Sequence, residues 1–270
     1  MEQSMLITVV PDAVIEAEQN ETDTDKIIKV VKKAATTVAM GYFGLGVALV
    51  QTISAVLDAR KRALAENLNV AMVGTQQAKG LIFPPGHPRA QVVYMQHPAN
   101  PLTYYPLASF HRHVFEHKFR EALLLLGGLG ATTIDVQHVR GWSRAFAASM
   151  STPIPASAGN EQVEASVGAK AQLDDKLLFR AALDGSGAPA LISDAVWYPH
   201  EPMWQALATL RLEHGLREFS LSLAYEEDYQ VNAKLAAALE GVNFQVGGKF
   251  EDHVSTVWTM SGQFTAQQPV

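Results

Sequence analysis

The most constraining feature of this sequence is an uncharged, mostly apolar run over residues 34–57. About 24 residues rise roughly 36 Å as an α-helix, which is enough to cross the hydrocarbon core of a bilayer. Lysine and arginine residues crowd both ends of the run, and polar residues such as Thr37 and Gln51 interrupt it. The run therefore predicts a helix that either crosses a membrane or is buried inside a protein assembly.

Small side chains recur along one side of this predicted helix. They form a narrow stripe of Ala34, Thr37, Gly41, Gly44, Ala48, Gln51 and Ala55. Such a stripe lets two helix backbones approach closely, whereas the opposite side carries bulky residues, Val56 among them, that suit lipid or an apolar core. We therefore expect the chain to form a homo-oligomer through the stripe, and to contact membrane lipid where the helix inserts.

The rest of the chain divides by composition. Helical periodicity starts at Lys26 and continues to Gly80, which predicts one helix of about fifty residues. The β-branched run Leu6–Val10 is stopped by Pro11 and predicts an edge strand or a docking arm. We predict an N-terminal arm and acidic linker over residues 1–25, a long helical segment over 26–80, a folded domain over 84–265 and a tail over 266–270.

Strands and helices follow one another irregularly in the predicted folded domain. The clearest patterns are strands at 91–95, 132–139 and Glu218–Tyr225, helices at 107–126 and Pro202–His214, and two strands between Phe244 and Phe264. A regular strand-helix-strand period is missing, which favours an antiparallel sheet with packed helices over a doubly wound parallel sheet. The sequence therefore predicts an α+β fold that follows a long N-terminal helix, itself the candidate transmembrane span.

Composition excludes some classes of function. A formal net charge of -6 and a pI near 5.8 argue against a nucleic-acid partner, because neutralising phosphates needs a broad face of lysine and arginine. The absence of cysteine excludes disulfides and thiolate metal sites and is compatible with a reducing cytoplasm. We therefore expect no nucleic-acid partner, and we expect the folded domain to be cytoplasmic.

The segment from His113 to His117 matches the pattern H-x-x-E-H. Two histidines one helical turn apart lie on one face and can bind zinc, while the carboxylate of Glu116 can activate a water molecule. A third ligand is needed, and Asp194, His200 and Glu201 are the candidates. The alternative is that these histidines are structural or solvated and that the protein has no cofactor.

A second cluster of aromatic and polar residues precedes the predicted helix at Pro202–His214. Glu201 and Pro202 suit the first turn of that helix, so a purely structural role accounts for them. The alternative is a site for a ligand or partner in which Trp197 and Trp204 are the binding anchors.

These observations favour a non-enzymatic, membrane-associated protein that assembles with copies of itself. A more specific form of this hypothesis is a pore-forming or membrane-disrupting effector, because strands in the region between Ser220 and Phe264 can refold into membrane hairpins. Two alternatives stay open. One is a zinc-dependent hydrolase with His113, His117 and Glu116 in its active site, and the other is a soluble cytoplasmic structural protein that assembles through its long helix.

Overall fold

The computed structural model describes residues 5–20, 43–142, 177–185 and 188–266. The chain divides into two compact units, and each unit is built from two separate stretches of sequence. The first unit consists of Met1–Val114 and Asp228–His253, and the second consists of Phe115–Glu227 and Val254–Val270. The predicted boundaries follow chain order, whereas these units interleave along the sequence.

The sheet of the first unit has four strands in the order β2-β1-β3-β4. They are β1 (Leu6–Val10), β2 (Val70–Gly74), β3 (Val93–His97) and β4 (Asn100–Pro106). β1 is parallel to β2 and antiparallel to β3, and β3 is antiparallel to β4. The strand predicted at Leu6–Val10 is confirmed, but it lies inside the sheet and not at its edge.

Helices connect and flank this first sheet. They are α1 (Asp12–Asn20), α2 (Phe43–Ala65), the short α3 (Thr75–Ala78) and, later in the chain, α6 (Ala233–Gly241). α1 and α2 lie between β1 and β2 in the chain, as a parallel strand pair requires a long crossover connection. The linker predicted to run to residue 25 is therefore helical at least as far as Asn20.

The predicted fifty-residue helix is wrong at its C-terminal end. α2 ends at Ala65, and Val70–Gly74 forms strand β2. The helical periodicity predicted for this region does not match the burial, because Leu64 is 50% exposed. Val70 and Val73 are buried in a strand that pairs with β1. Residues 21–42 lie outside the described residues. In the described part of the chain, no helix is both long and apolar enough to span a membrane.

The C-terminal half of α2 packs inside the first unit. Its buried side chains are Val56, Leu57, Ala59 and Ala63, which recur at helical spacing, and α2 contacts β2. Val56 belongs to the bulky side for which lipid or an apolar core was expected. In the structure Val56 is buried in the core of the first unit.

The sheet of the second unit is entirely antiparallel and has the order β6-β5-β8-β7. Its strands are β5 (Ala131–Arg140), β6 (Leu177–Ala182), β7 (Glu218–Tyr225) and β8 (Thr256–Phe264). Helix α5 (Pro202–His214) belongs to this unit, and α4 (Phe110–Gly128) starts in the first unit and continues into the second. Short 3₁₀ turns at Leu107–Ser109 and Tyr198–His200 precede α4 and α5.

Antiparallel pairing dominates both sheets, and the α+β class is confirmed. The helix predicted at Pro202–His214 and the strand predicted at Glu218–Tyr225 have the predicted bounds. Of the two strands predicted between Phe244 and Phe264, the structure has β8, while Gln245 makes an isolated bridge to Val92 within the first unit.

Candidate functional site

The residues of the H-x-x-E-H pattern lie on α4, as predicted, but the two histidines have different surroundings. The His113 ring stacks on Tyr105, with ring centroids 4.9 Å apart. His117 Nδ1 accepts a hydrogen bond from the indole Nε1 of Trp197, at 3.2 Å. Burial, together with the charge of Arg120, lowers the pKa of His117, while Glu121 acts in the opposite direction.

The described residues do not complete a metal site around these histidines. Within residues 5–20, 43–142, 177–185 and 188–266, no group of three or more histidine, aspartate or glutamate side chains is placed to hold a metal ion. Of the predicted third ligands, Glu201 pairs with the ammonium of Lys118, at 2.5 Å. The zinc site and the catalytic role of Glu116 therefore stay predictions from the motif.

The predicted anchors Trp197 and Trp204 are both buried within the second unit. Glu121 fixes the backbone on either side of Trp197, because its carboxylate accepts hydrogen bonds from the N–H groups of Val196, Trp197 and Tyr198 at 2.8–2.9 Å. The Lys118 ammonium lies 5.1 Å from the centre of the Trp197 ring. In this conformation the two tryptophans contact protein and are not exposed to a partner.

Sequence reasoning missed Glu121. It is buried, and its partners lie 75 to 77 residues further along the chain. The one local signal is its position four residues after His117 on the same helix, which places both side chains on one face.

Part of the predicted self-association stripe can be located. Ala34, Thr37 and Gly41 lie outside the described residues. Gly44, Ala48 and Gln51 are on α2, and Ala55, on the same helix, is half-buried. Self-association through the stripe stays a prediction.

The second sheet has the clearest separation of apolar and polar side chains. In β7, Phe219, Leu221, Leu223 and Tyr225 are buried and alternate with the exposed residues Glu218, Ser220 and Ser222. Strand pairing places Leu221 beside Met260, and Ser220 beside Ser261. The two faces of the sheet therefore differ sharply in chemistry.

Short polar side chains dominate the outer face of the three longer strands. The residues are Thr133, Asp135 and Gln137 on β5, Glu218, Ser220 and Ser222 on β7, and Thr259, Ser261 and Gln263 on β8. The Asp135 carboxylate is paired with the guanidinium of Arg180 on β6 through two hydrogen bonds, of 2.6 and 2.8 Å. Hydroxyl and amide groups make up most of this face, which we call the polar face and which also carries the apolar pair Ala224 and Val257 at one end.

Aromatic side chains of α4 cover the opposite, apolar face. The ring of Phe115 lies 4.8 Å from that of Trp258 on β8, and the ring of Phe119 lies 5.3 Å from it. Phe115 also contacts Tyr225 on β7. The part of α4 that belongs to the second unit thus covers the apolar face, and α5 also contacts β7.

The polar face carries an open groove at one end. The groove has a volume of about 580 Å³, and its lining includes Thr133, Asp135, Arg180, Glu218 and Ser261. It combines hydroxyls with charged groups of both signs.

No protein-family model, curated protein or solved structure matches this chain. Its function is therefore inferred from the geometry of its two units.

Proposed function

We propose that this protein is a non-enzymatic, membrane-associated protein that assembles with copies of itself and opens a water-filled passage through a bilayer. The observation that supports the proposal is the division of the second sheet into an apolar face, covered by α4, and a polar face of mostly uncharged side chains. On insertion, the sheet exchanges its contact with α4 for contact with lipid.

The lengths of the two central strands of this sheet, β5 and β8, fit this proposal. A tilted strand needs about 9–11 residues to cross the hydrocarbon core. β5 has 10 residues and β8 has 9, whereas the outer strands β7 and β6 have 8 and 6 and would have to lengthen on insertion. A strand with period-two alternation turns its apolar side chains to lipid and its polar side chains to water. Ser220, Ser222, Thr259 and Ser261 would therefore line the aqueous side.

Self-assembly follows from the backbone chemistry of the same sheet. In lipid every backbone N–H and C=O group needs a hydrogen-bond partner, because each unsatisfied group costs several kcal/mol. Among the described residues, β6 and β7 are the two outer strands of this sheet, and we propose that strands from neighbouring copies pair with their outward backbone groups. Membrane insertion and oligomerisation are therefore one coupled event in this proposal.

Release of a fluorescent dye from sealed lipid vesicles tests the proposed function. Wild-type protein should release the dye and should be recovered from the vesicles as oligomers. The double variant Ser220→Leu, Ser222→Leu makes the outer face of β7 apolar and should release dye more slowly, by roughly tenfold, because it disfavours water in the passage. The matched control Ser193→Leu, Ser255→Leu alters exposed serines outside the strands and should behave as wild type.

Two outcomes would contradict the proposal. One is the absence of dye release by wild-type protein from both zwitterionic and anionic vesicles. The other is equal release by wild-type protein and the β7 double variant when both bind the vesicles to the same extent.

A further inference from the structure

The middle of the first unit contains a long stretch without carboxylates. The chain has 27 aspartate and glutamate residues, yet none occurs between Glu66 and Glu116. The same stretch contains Lys79, Arg89 and Arg112. A protein with a formal net charge of -6 thus has one extended segment whose ionised side chains at neutral pH are positive.

Two large aliphatic side chains are exposed within this segment. Ile82 is 55% exposed and Leu102 is 51% exposed. Their backbones are neighbours, because the N–H of Ile82 donates to the carbonyl oxygen of Leu102 at 2.8 Å and the N–H of Tyr104 donates to the carbonyl oxygen of Ile82 at 2.9 Å. Pro101 is exposed beside Leu102. We call Ile82, Pro101 and Leu102 the apolar tip.

The backbone that carries the apolar tip is fixed on the sheet. Phe83 turns inward, where its ring contacts Tyr94 and Tyr104 at centroid distances of 5.0 and 6.1 Å. The neighbouring Ile82 bridges β4 at Thr103. The exposure of Ile82 is therefore a property of an ordered segment held by aromatic packing, which favours a rigid contact surface.

Two basic residues stand on either side of Ile82 in the sequence, and the hydrogen bonds that they make to uncharged groups do not neutralise them. Lys79 Nζ donates to the amide oxygen of Gln76 at 2.8 Å, and Arg89 Nε donates to the carbonyl oxygen of Gly86 at 3.0 Å. Asp12 interacts electrostatically with Lys79 and partly offsets its charge. Arg112 is paired with Glu251 at 3.0 Å, which leaves Lys79 and Arg89, three and seven residues from Ile82 along the chain, as the cations proposed to act with the apolar tip.

We propose that the apolar tip, with Lys79 and Arg89, is the surface by which the first unit docks on a bilayer that contains anionic lipid. Exposed aliphatic side chains enter the boundary between head groups and acyl chains, while lysine and arginine attract anionic head groups. A nucleic acid would use the cations but gains little from Ile82 and Leu102, so the aliphatic pair favours lipid. This inference rests on the proposed membrane function and identifies the surface that first contacts the bilayer.

Co-sedimentation with vesicles of phosphatidylcholine alone, or with added phosphatidylserine, tests the docking surface. Wild-type protein should bind the anionic vesicles more tightly. The variant Lys79→Gln, Arg89→Gln should lose about fivefold in partitioning for each basic residue removed. The variant Ile82→Ser, Leu102→Ser should lose roughly tenfold on the anionic vesicles.

Matched controls use equivalent residues elsewhere on the surface. Met203→Ser, Leu210→Ser removes exposed aliphatic side chains from α5, and Arg217→Gln, Lys234→Gln removes exposed cations. Both control proteins should bind as wild type.

The fluorescence emission of a polarity-sensitive dye on a single cysteine at Leu102 should shift to the blue when vesicles are added, and that of a dye at Leu210 should not. Because the chain has no native cysteine, the label reports one site.

Three outcomes separate this inference from the proposed function. If wild-type protein binds vesicles and both tip variants bind equally well, the docking surface is wrong and the membrane function stands. If wild-type protein binds neither type of vesicle, both are wrong. If Lys79→Gln, Arg89→Gln loses binding to a labelled RNA while Ile82→Ser, Leu102→Ser keeps full vesicle binding, the surface is for nucleic acid and the lipid assignment is overturned.

Discussion

Thr8 carries a hydroxyl group in the middle of the first sheet. It lies on β1 between Met72 of β2 and Val93 of β3, is fully buried, and its Oγ1 has no hydrogen-bond partner among the described residues. A buried unsatisfied hydroxyl costs about 1–3 kcal/mol. We therefore expect the hydroxyl of Thr8 to lower the free energy of unfolding.

Replacing Thr8 by valine should raise the free energy of unfolding by about 1 kcal/mol, because the shape is kept and the unsatisfied hydroxyl is removed. Urea unfolding measures the change. Thr8→Ser keeps the hydroxyl, loses a methyl group and should be less stable than wild type. A valine variant that is less stable than wild type would show that the hydroxyl has a partner, such as a buried water.

Glu121 holds the backbone around Trp197 through both carboxylate oxygens. In Glu121→Gln one oxygen becomes an NH₂ group that faces a backbone N–H, and the charge is lost. The free energy of unfolding should fall by about 2 kcal/mol, with a change in tryptophan fluorescence. The exposed control Glu213→Gln should stay within about 0.5 kcal/mol of wild type. Equal stability of the two variants would contradict the role given to Glu121.

His111 is the residue that should make the first unit sensitive to acid. Its Nε2–H donates to the carbonyl oxygen of Val231 at 2.5 Å, and its ring lies 5.1 Å from that of His253. Burial lowers the pKa of His111; the Val231 carbonyl, Asp252 and Asp228 act in the opposite direction, while His253 lowers it further. His111 therefore binds a proton at a lower pH in the folded protein than in the unfolded chain, where histidine titrates near pH 6.5.

Because the folded-state pKa is lowered, stability is complete above pH 6.5 and falls as the pH drops below that value. The free energy of unfolding should decline between about pH 7 and pH 5, and His111→Gln should make this decline shallower. Urea titrations across that range measure the slope. The control His214→Gln alters an exposed histidine on α5 and should leave the slope unchanged. An unchanged slope in His111→Gln would contradict the assignment.

At the scale of elements, several helices and strands could be predicted because their signals are local. α5 begins with Pro202 and ends at His214, and it is followed by Gly215, whose φ of 66° is the left-handed conformation that glycine adopts readily. β7 alternates along its whole length. β2 could not be predicted in the same way, because the partner that makes Val70–Gly74 a strand is Leu6–Val10, more than sixty residues earlier in the chain.

The polar face of the second sheet yields a prediction about ion selectivity. Ser261 lies between Asp135 of β5 and Ser220 of β7. If this face lines a passage, Ser261→Lys should favour anions and Ser261→Glu should favour cations, because a charge at a narrow aqueous surface attracts counter-ions. Reversal potentials across planar bilayers measure the difference. Identical selectivity in the two variants, with channels still formed, would exclude Ser261 from the passage.

At the scale of the whole molecule, chain order does not reveal the two units. Asp228–His253 returns to the first unit after the chain has built much of the second, and no composition change marks that return. The histidine pattern shows the same limit: its helix was predicted correctly, but the surroundings of His113 and His117 depend on Tyr105 and Trp197. Tertiary packing determines both features, and the local sequence pattern does not encode it.

The central claim is that the second sheet turns its apolar face to lipid and its polar face to water. Single cysteines in this cysteine-free chain can test it, with a polarity-sensitive dye at Val136, Leu221 or Met260 on one face and at Gln137, Ser220 or Ser261 on the other. Nitroxide-labelled lipid chains should quench the first set in vesicles and leave the second set unquenched, giving a period of two residues along each strand. Equal quenching of both sets, or of neither, would contradict the claim.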